Sequence, residues 1–150
     1  MATWWIDEPV LLGSSNPSDA ELEPLRASNF SVIVCLLDLD EQAARYDVGR
    51  SAAVGWEWHN ITIPDFRAPT IAQLRQFVAL VEVSLPKKKV VVHCQGGTGR
   101  TGTVAAAYWI TKGLSVAEAI AKVRQCRPHA IETPEQEAIL SDFANEVAHP

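Results

Sequence analysis

The chain lacks the signals of a membrane, export or metal-binding protein. No run approaches the roughly 18 apolar residues that a membrane span needs. Met1-Ala2-Thr3-Trp4 has no basic n-region and no export-type apolar core behind it, so no leader peptide is expected. There are only three cysteines, at positions 35, 94 and 126. None forms a C-x-x-C pair or has zinc-ligand spacing, so no metal site is expected. An odd count without an export signal fits a reducing, cytoplasmic setting. Positive charge is also sparse: 13 Lys and Arg stand against 18 Asp and Glu, for a net charge of −5. That leaves no basic face for nucleic acid. The one basic run, Lys87-Lys88-Lys89, reads as a solvated turn ahead of a strand. No internal repeat or low-complexity linker divides the 150 residues, which suit one domain with one real core.

What is present centres on Val90-Val91-Val92-His93-Cys94-Gln95-Gly96-Gly97-Thr98-Gly99-Arg100-Thr101-Gly102. Three valines in a row suit a central strand covered on both faces. The glycines that follow let backbone amides converge without side chains in the way. A helix is expected from Arg100 to Lys112. A glycine-rich turn between a strand and a helix N-terminus is an anion site, because unpaired N–H groups and the positive end of the helix dipole point at it.

The remaining elements follow from caps and periodicity. Trp4 to Leu12 reads as a first strand, closed by the turn formers Gly13 to Pro17. Ser18-x-x-Glu21 is a capping box that opens a helix over Asp19 to Ala27. Ser31 to Leu37 is a second buried strand. Residues 38 to 55 are acidic and then small, a loop with one helical turn. Trp56 to Ile63 is a third strand, and Pro64 to Pro69 a rigid loop. Thr70-x-x-Gln73 caps a helix whose apolar face is Leu74, Phe77, Val78, Val81 and Leu85. Ser115-x-x-Glu118 caps the next, with Val116, Ala119, Ile120 and Val123 inward. Thr133-Pro134-Glu135-Gln136 caps the last, with Ile139, Leu140, Phe143 and Val147 inward. Strands alternating with helices predict an α/β three-layer sandwich: a short, mostly parallel sheet with helices on both faces. The loop after Val90–His93 then lies at the carboxyl end of a central strand, where open α/β sheets place their ligands.

The chemistry of that loop is specific. Converging amides, the helix dipole and the Arg100 charge all favour a thiolate at Cys94, and a thiolate is the nucleophilic form. Arg100 offers a planar fork of donors suited to two phosphate oxygens. Gln95, Gly96, Gly97, Thr98 and Gly99 supply enough backbone to wrap a tetrahedral dianion. The loop has no G-K-[ST] and no acid set for a ribose, so it is neither a nucleotide P-loop nor a dinucleotide turn. A cysteine at a strand end is usually core, a glycine-rich turn is usually only a turn, and a lone arginine is usually solvated. All three at this spacing together describe a phosphoryl acceptor that works through a cysteinyl-phosphate.

His93-Cys94-x5-Arg100-Thr101 resembles the active-site motif of cysteine-dependent protein tyrosine phosphatases. The chain as a whole is similar to the small atypical dual-specificity phosphatases. The likeness also covers Ile63-Pro64-Asp65-Phe66, with Asp65 29 residues ahead of Cys94, and Arg127-Pro128-x-Ala130-Ile131-Glu132-Thr133-x-Glu135-Gln136-Glu137. It spans the C-terminal two-thirds well and the first 50 residues more loosely. The resemblance implies Asp65 as the acid that protonates the leaving oxygen, with Phe66 able to pack over it and keep the proton on. Without the Cys94 loop, Asp65 reads as a turn former beside proline. The resemblance also implies that Thr101 bonds the cysteine sulfur and eases its departure, where the bland alternative is a first-turn helix residue. His93 matches the residue that orders the loop, with a satisfied core histidine as its rival. Glu132 and Gln136 match polar groups near the attacking water, although Thr133 and Gln136 also complete a capping box. The family often has glycine where His129 stands. Cys35, on a neighbouring strand, is either a disulfide partner for Cys94 or an inert core residue.

The expected activity is therefore hydrolysis of phosphotyrosine, with phosphoserine and phosphothreonine as lesser substrates. Neither cofactor nor metal is expected, because Arg100 and the loop amides neutralise the charge. The expected partners are phosphorylated proteins, and the expected state is a monomer. The rivals are a phosphoinositide or RNA 5′-phosphatase, a rhodanese-like sulfur carrier and a catalytically silent phosphopeptide-binding module. Lipid members of the family tend to carry lysines inside the loop, and this loop has none.

Overall fold

A computed structural model describes residues 1–150. Five strands form one sheet: β1 (Thr3–Asp7), β2 (Leu11–Ser14), β3 (Phe30–Cys35), β4 (Glu57–Asn60) and β5 (Lys89–His93), in the order β1-β2-β5-β3-β4. The β2–β5, β5–β3 and β3–β4 pairings are parallel, and only the β1–β2 edge is antiparallel. Helices α1 (Asp19–Ala27), α2 (Val48–Ser51), α3 (Ile71–Ser84), α4 (Gly99–Thr111), α5 (Val116–Cys126) and α6 (Pro134–Ala148) complete the chain.

The three valines of β5 show why the sheet is sandwiched. Val90 and Val92 join Leu11, Val32 and Val34 in a large core with residues of α3, α4, α5 and α6. Val91 turns the other way, with Leu12 and Ile33, into a smaller core closed by Leu22 of α1, Tyr46 and Trp56. Successive strand residues face opposite sides, so a central strand between two helix layers is apolar at every position. Each of these fully buried valines contributes roughly 1.5–3 kcal/mol. The three-layer α/β architecture is the one the sequence predicts.

Four helices begin as their capping boxes predict: Ser18–Glu21, Thr70–Gln73, Ser115–Glu118 and Thr133–Gln136 each bond reciprocally. The single helical turn expected within residues 38 to 55 is α2. Two expectations need correction. Trp4 to Leu12 is not one strand but a hairpin, because the chain reverses at Asp7–Val10, where Val10 N donates to Asp7 O at 2.9 Å. Pro9 has no N–H for a ladder, and with Asp7 and Glu8 it makes a turn sequence that outweighs the surrounding hydrophobicity. Val147, expected inward on α6, is 41% exposed, since the helix outruns the core one turn beyond Phe143.

Candidate active site

β5 ends at His93, and the chain turns through Cys94 to Thr98 before entering α4. Cys94 is 2% exposed. Its Sγ accepts a hydrogen bond from the Gly97 N–H at 3.2 Å and one from Thr101 Oγ1 at 3.0 Å. Two donors thus converge on one sulfur.

The loop owes its shape to donors outside it. Three consecutive carbonyls are held outward: Gln95 O accepts from Asn16 N at 3.0 Å, Gly96 O from Arg127 Nη2 at 3.1 Å and Gly97 O from Trp4 Nε1 at 2.8 Å. In a trans peptide the N–H points opposite to the carbonyl. The N–H groups of Gly96, Gly97 and Thr98 are thereby turned inward, and the Gly97 bond to Sγ shows the direction. Those of Gly96, Thr98, Gly99 and Arg100 donate to no protein acceptor. Gly97 must be glycine, since its φ is +76° and a Cβ there would meet Ser15 N at 2.7 Å. The N-terminus of α4 is the one helix start without a side-chain cap, because the Thr98 hydroxyl donates instead to Glu132 Oε1 at 2.9 Å. Bare amides and an uncapped dipole thus face Cys94.

Arg100 is 1% exposed. Its Nη1 donates to Ile63 O at 2.9 Å, and its Nη2 to Gln42 Oε1 at 2.8 Å. Nη2 also lies 3.1 Å from Asp65 Oδ1. Asp65 is therefore brought to the loop, through the arginine. Its Oδ1 accepts from Phe66 N at 3.0 Å, and its Oδ2 from Gln42 Nε2 at 3.0 Å. The expected cover by Phe66 is absent. Phe66 adopts φ +61° and stands 60% exposed, because the left-handed turn directs its ring to solvent.

His93 is fully buried and touches the loop through backbone, not sulfur. Its Nδ1 lies 3.2 Å from Cys94 O, and its Nε2 lies 2.8 Å from Tyr46 Oη. Trp58 Nε1 donates to the same tyrosine oxygen at 2.8 Å. Burial first, and then the Arg100 charge, lower the His93 pKa to about 4, so the ring is neutral at neutral pH. Nδ1–H donating to Cys94 O, and Nε2 accepting from Tyr46, is the tautomer that satisfies the whole chain. Burial also pushes the Tyr46 hydroxyl up, which keeps it a donor. His93 behaves as the satisfied core histidine that fixes the first peptide of the loop.

Glu132 and Gln136 lie beside Gly99, where an added Cβ would meet Glu132 Oε1 at 2.5 Å and Gln136 Nε2 at 3.2 Å. The Gln136 amide is largely committed. Its Oε1 accepts from Glu132 N at 2.8 Å and Thr133 N at 3.3 Å, and its Nε2 donates to Arg67 O at 3.1 Å. It clamps the Asp65 loop to the start of α6. Cys35 is fully buried and pairs across the sheet with His93 rather than Cys94. Burial pushes its thiol pKa up, as for an inert core residue. No group of three or more His, Cys, Asp or Glu residues is placed to hold a metal ion. Trp4, Asn16, Gln42 and Tyr46 hold the site together, and none of them is marked by a local sequence signal.

A mostly parallel sheet whose central strand runs into a buried cysteine, followed by a loop of bare amides and a buried arginine, defines a cysteine-centred α/β fold. Residues 10–114 match the family model described as "Polymorphic toxin system, DSP-PTPase phosphatase", and the chain belongs to that family. It is 34% identical over 96 residues to the dual specificity protein phosphatase CDC14C of Homo sapiens. That match covers 63% of this chain and 21% of the human protein, so the chain spans about a fifth of that relative's length. It is 30% identical over 148 residues to the phosphatidylglycerophosphate phosphatase PTPMT2 of Arabidopsis thaliana, covering 94% of this chain and 63% of that one. Among solved structures, Tk-PTP in its active form superposes with a TM-score of 0.87 at 35% identity, over 95% of this chain and 96% of that one.

Proposed function

We propose that this protein is a protein phosphatase that hydrolyses phosphotyrosine, and phosphoserine and phosphothreonine in lesser measure, through a phosphocysteine at Cys94. One observation carries the proposal: Cys94 Sγ accepts the Gly97 N–H, and the adjacent N–H groups of Gly96, Thr98, Gly99 and Arg100 have no protein acceptor. In the first step Sγ attacks phosphorus, the S–P bond forms, the bond to the leaving oxygen breaks, and Asp65 gives that oxygen a proton. In the second step water attacks phosphorus, its proton passes to the Asp65 carboxylate, and the S–P bond breaks. Thr101 Oγ1 supports the departing thiolate. Gln95 to Arg100 hold the three remaining oxygens. Arg100 and the amides carry the charge that a metal would otherwise carry, so neither metal nor cofactor takes part.

The 150 residues act as one catalytic domain, a monomer working on phosphorylated proteins in the cytoplasm. No helix is long and apolar enough to cross a membrane. The acidic net charge of −5 disfavours nucleic-acid partners. A lipid phosphomonoester is the second reading, supported by the plant relative that matches 94% of this chain. The lysine-free loop interior weighs against it. Purified protein should turn over p-nitrophenyl phosphate in excess EDTA, and Cys94→Ser should abolish this. A wild-type protein without turnover would overturn the enzyme reading. A panel of phosphotyrosine peptides, phosphatidylglycerophosphate and phosphoinositides, run side by side, separates the two substrate classes.

A further inference from the structure

Gln42 lies in the acidic loop after β3, outside every motif that the sequence displays, yet its amide joins Asp65 to Arg100. Its Oε1 accepts from Arg100 Nη2 at 2.8 Å, and its Nε2 donates to Asp65 Oδ2 at 3.0 Å. This orientation is imposed from both ends, since a flipped amide would set NH2 against the guanidinium and oxygen against the carboxylate. The backbone around Gln42 is fixed on either side. Gln42 N donates to Asp38 O at 2.8 Å, and Ala43 O accepts from Asn16 Nδ2 at 2.9 Å. Asn16 also receives Arg45 N at 3.1 Å, and its own backbone N–H holds Gln95 of the phosphate loop.

The hydrogens on Nη2 make this contact consequential. A guanidinium grips two oxygens either through Nε and Nη2 or through Nη1 and Nη2, so each fork uses Nη2. Nη2 donates one N–H to Gln42 Oε1, and Asp65 Oδ1 lies 3.1 Å from the same nitrogen as an ion pair. A phosphate that takes the fork enters the space beside Nη2 that the Asp65 carboxylate occupies. The dianion repels the Asp65 carboxylate and not the neutral amide, so Asp65 is the partner that leaves. Oδ2 stays bonded to Gln42 Nε2, and Oδ1, the oxygen that had faced Arg100, keeps only its bond from Phe66 N.

We propose that Gln42 is a positioning residue that keeps Asp65 over the Cys94 loop while substrate phosphate replaces the Asp65 carboxylate on Arg100. The inference rests on the phosphatase reading above. Without Gln42 the acid is freed from Arg100 but no longer held in place, and proton delivery suffers where the leaving group needs it most.

The test uses Gln42→Met, which keeps length and packing but removes both polar ends, in the full chain. Phenyl phosphate has a poor leaving group and p-nitrophenyl phosphate a good one. Expected is a loss of kcat of about 10- to 100-fold on phenyl phosphate and less than about threefold on p-nitrophenyl phosphate, with KM little changed. In an Asp65→Asn background the same substitution should add no further loss on phenyl phosphate. Equal losses on the two substrates, or a full loss persisting beside Asp65→Asn, would overturn the role of Gln42 while leaving the phosphatase reading intact. A wild-type enzyme that turns over neither substrate removes the reading beneath it.

Discussion

Trp4 Nε1 donates to the carbonyl of Gly97 at 2.8 Å, across 93 positions of sequence and from the far edge of the sheet. The bond turns the Gly97 peptide so that the Thr98 N–H faces Cys94. Trp4→Phe keeps an aromatic ring and removes the donor, leaving a buried carbonyl unpaired. The expected cost is about 1–3 kcal/mol of stability, with weaker binding of tungstate as a phosphate mimic. Calorimetric unfolding and tungstate titration measure both. Unchanged tungstate affinity would mean that the loop holds its peptide without the indole.

Thr101 Oγ1 lies 3.0 Å from Cys94 Sγ and is fully buried. A hydrogen bond to a charged group contributes roughly 1.5–3 kcal/mol, and this one matters most when the thiolate leaves phosphorus. Thr101→Ala should lower kcat about 10- to 100-fold and convert the time course on p-nitrophenyl phosphate to a burst, as phosphoenzyme accumulates. Thr101→Ser should restore steady turnover. A slow variant with no burst would place the effect in the first step instead.

His93 makes folding sensitive to acid. Burial holds its pKa at about 4, against an ordinary value of 6.5. As pH falls below 6.5 the unfolded chain takes up a proton that the folded chain refuses until about pH 4. The contribution of His93 to stability is thus fully present above 6.5 and is lost as pH falls toward 4. Between pH 7 and pH 5 the loss amounts to about 2 kcal/mol. His93→Asn removes this titration. Denaturant unfolding of both proteins at the two pH values should show a smaller acid loss in the variant, and parallel losses would refute the assignment.

What was legible in the sequence was local. Ser18–Glu21 and its three counterparts announce helix starts because a capping box lies within four residues. Cys94, Arg100 and Thr101 stand out because the loop and helix start that carry them are contiguous. Asp65 was reached only through its likeness to a family, since an aspartate beside proline has a sufficient reason to be there. Trp4, Asn16, Gln42 and Tyr46 were out of reach. Each meets the site through the β1-β2-β5-β3-β4 order, which no single stretch displays. The hairpin at Asp7–Val10 was hidden by apolar continuity on both sides of Pro9. The exposed Phe66 ring follows from a backbone angle of +61° that a phenylalanine does not advertise.

His129 stands where a glycine would cost less. Ala130 N donates to Arg127 O at 3.1 Å, closing a turn with Pro128 second and His129 third, and His129 has φ +68°. A type II turn places proline and then a left-handed residue at those positions, and glycine is favoured at the latter. A non-glycine residue there pays roughly 1–2 kcal/mol, partly offset by the roughly 0.5–1 kcal/mol of chain entropy that glycine loses on folding. The His129 side chain is exposed and forms no hydrogen bond that would compensate. His129→Gly should therefore stabilise the protein by about 0.5–1 kcal/mol. The urea midpoint should rise with the slope unchanged, and kcat on p-nitrophenyl phosphate should stay the same, since Arg127 still reaches Gly96 O. A midpoint that falls would show that the imidazole supports this turn, and a change in kcat would show that it acts on the phosphate loop.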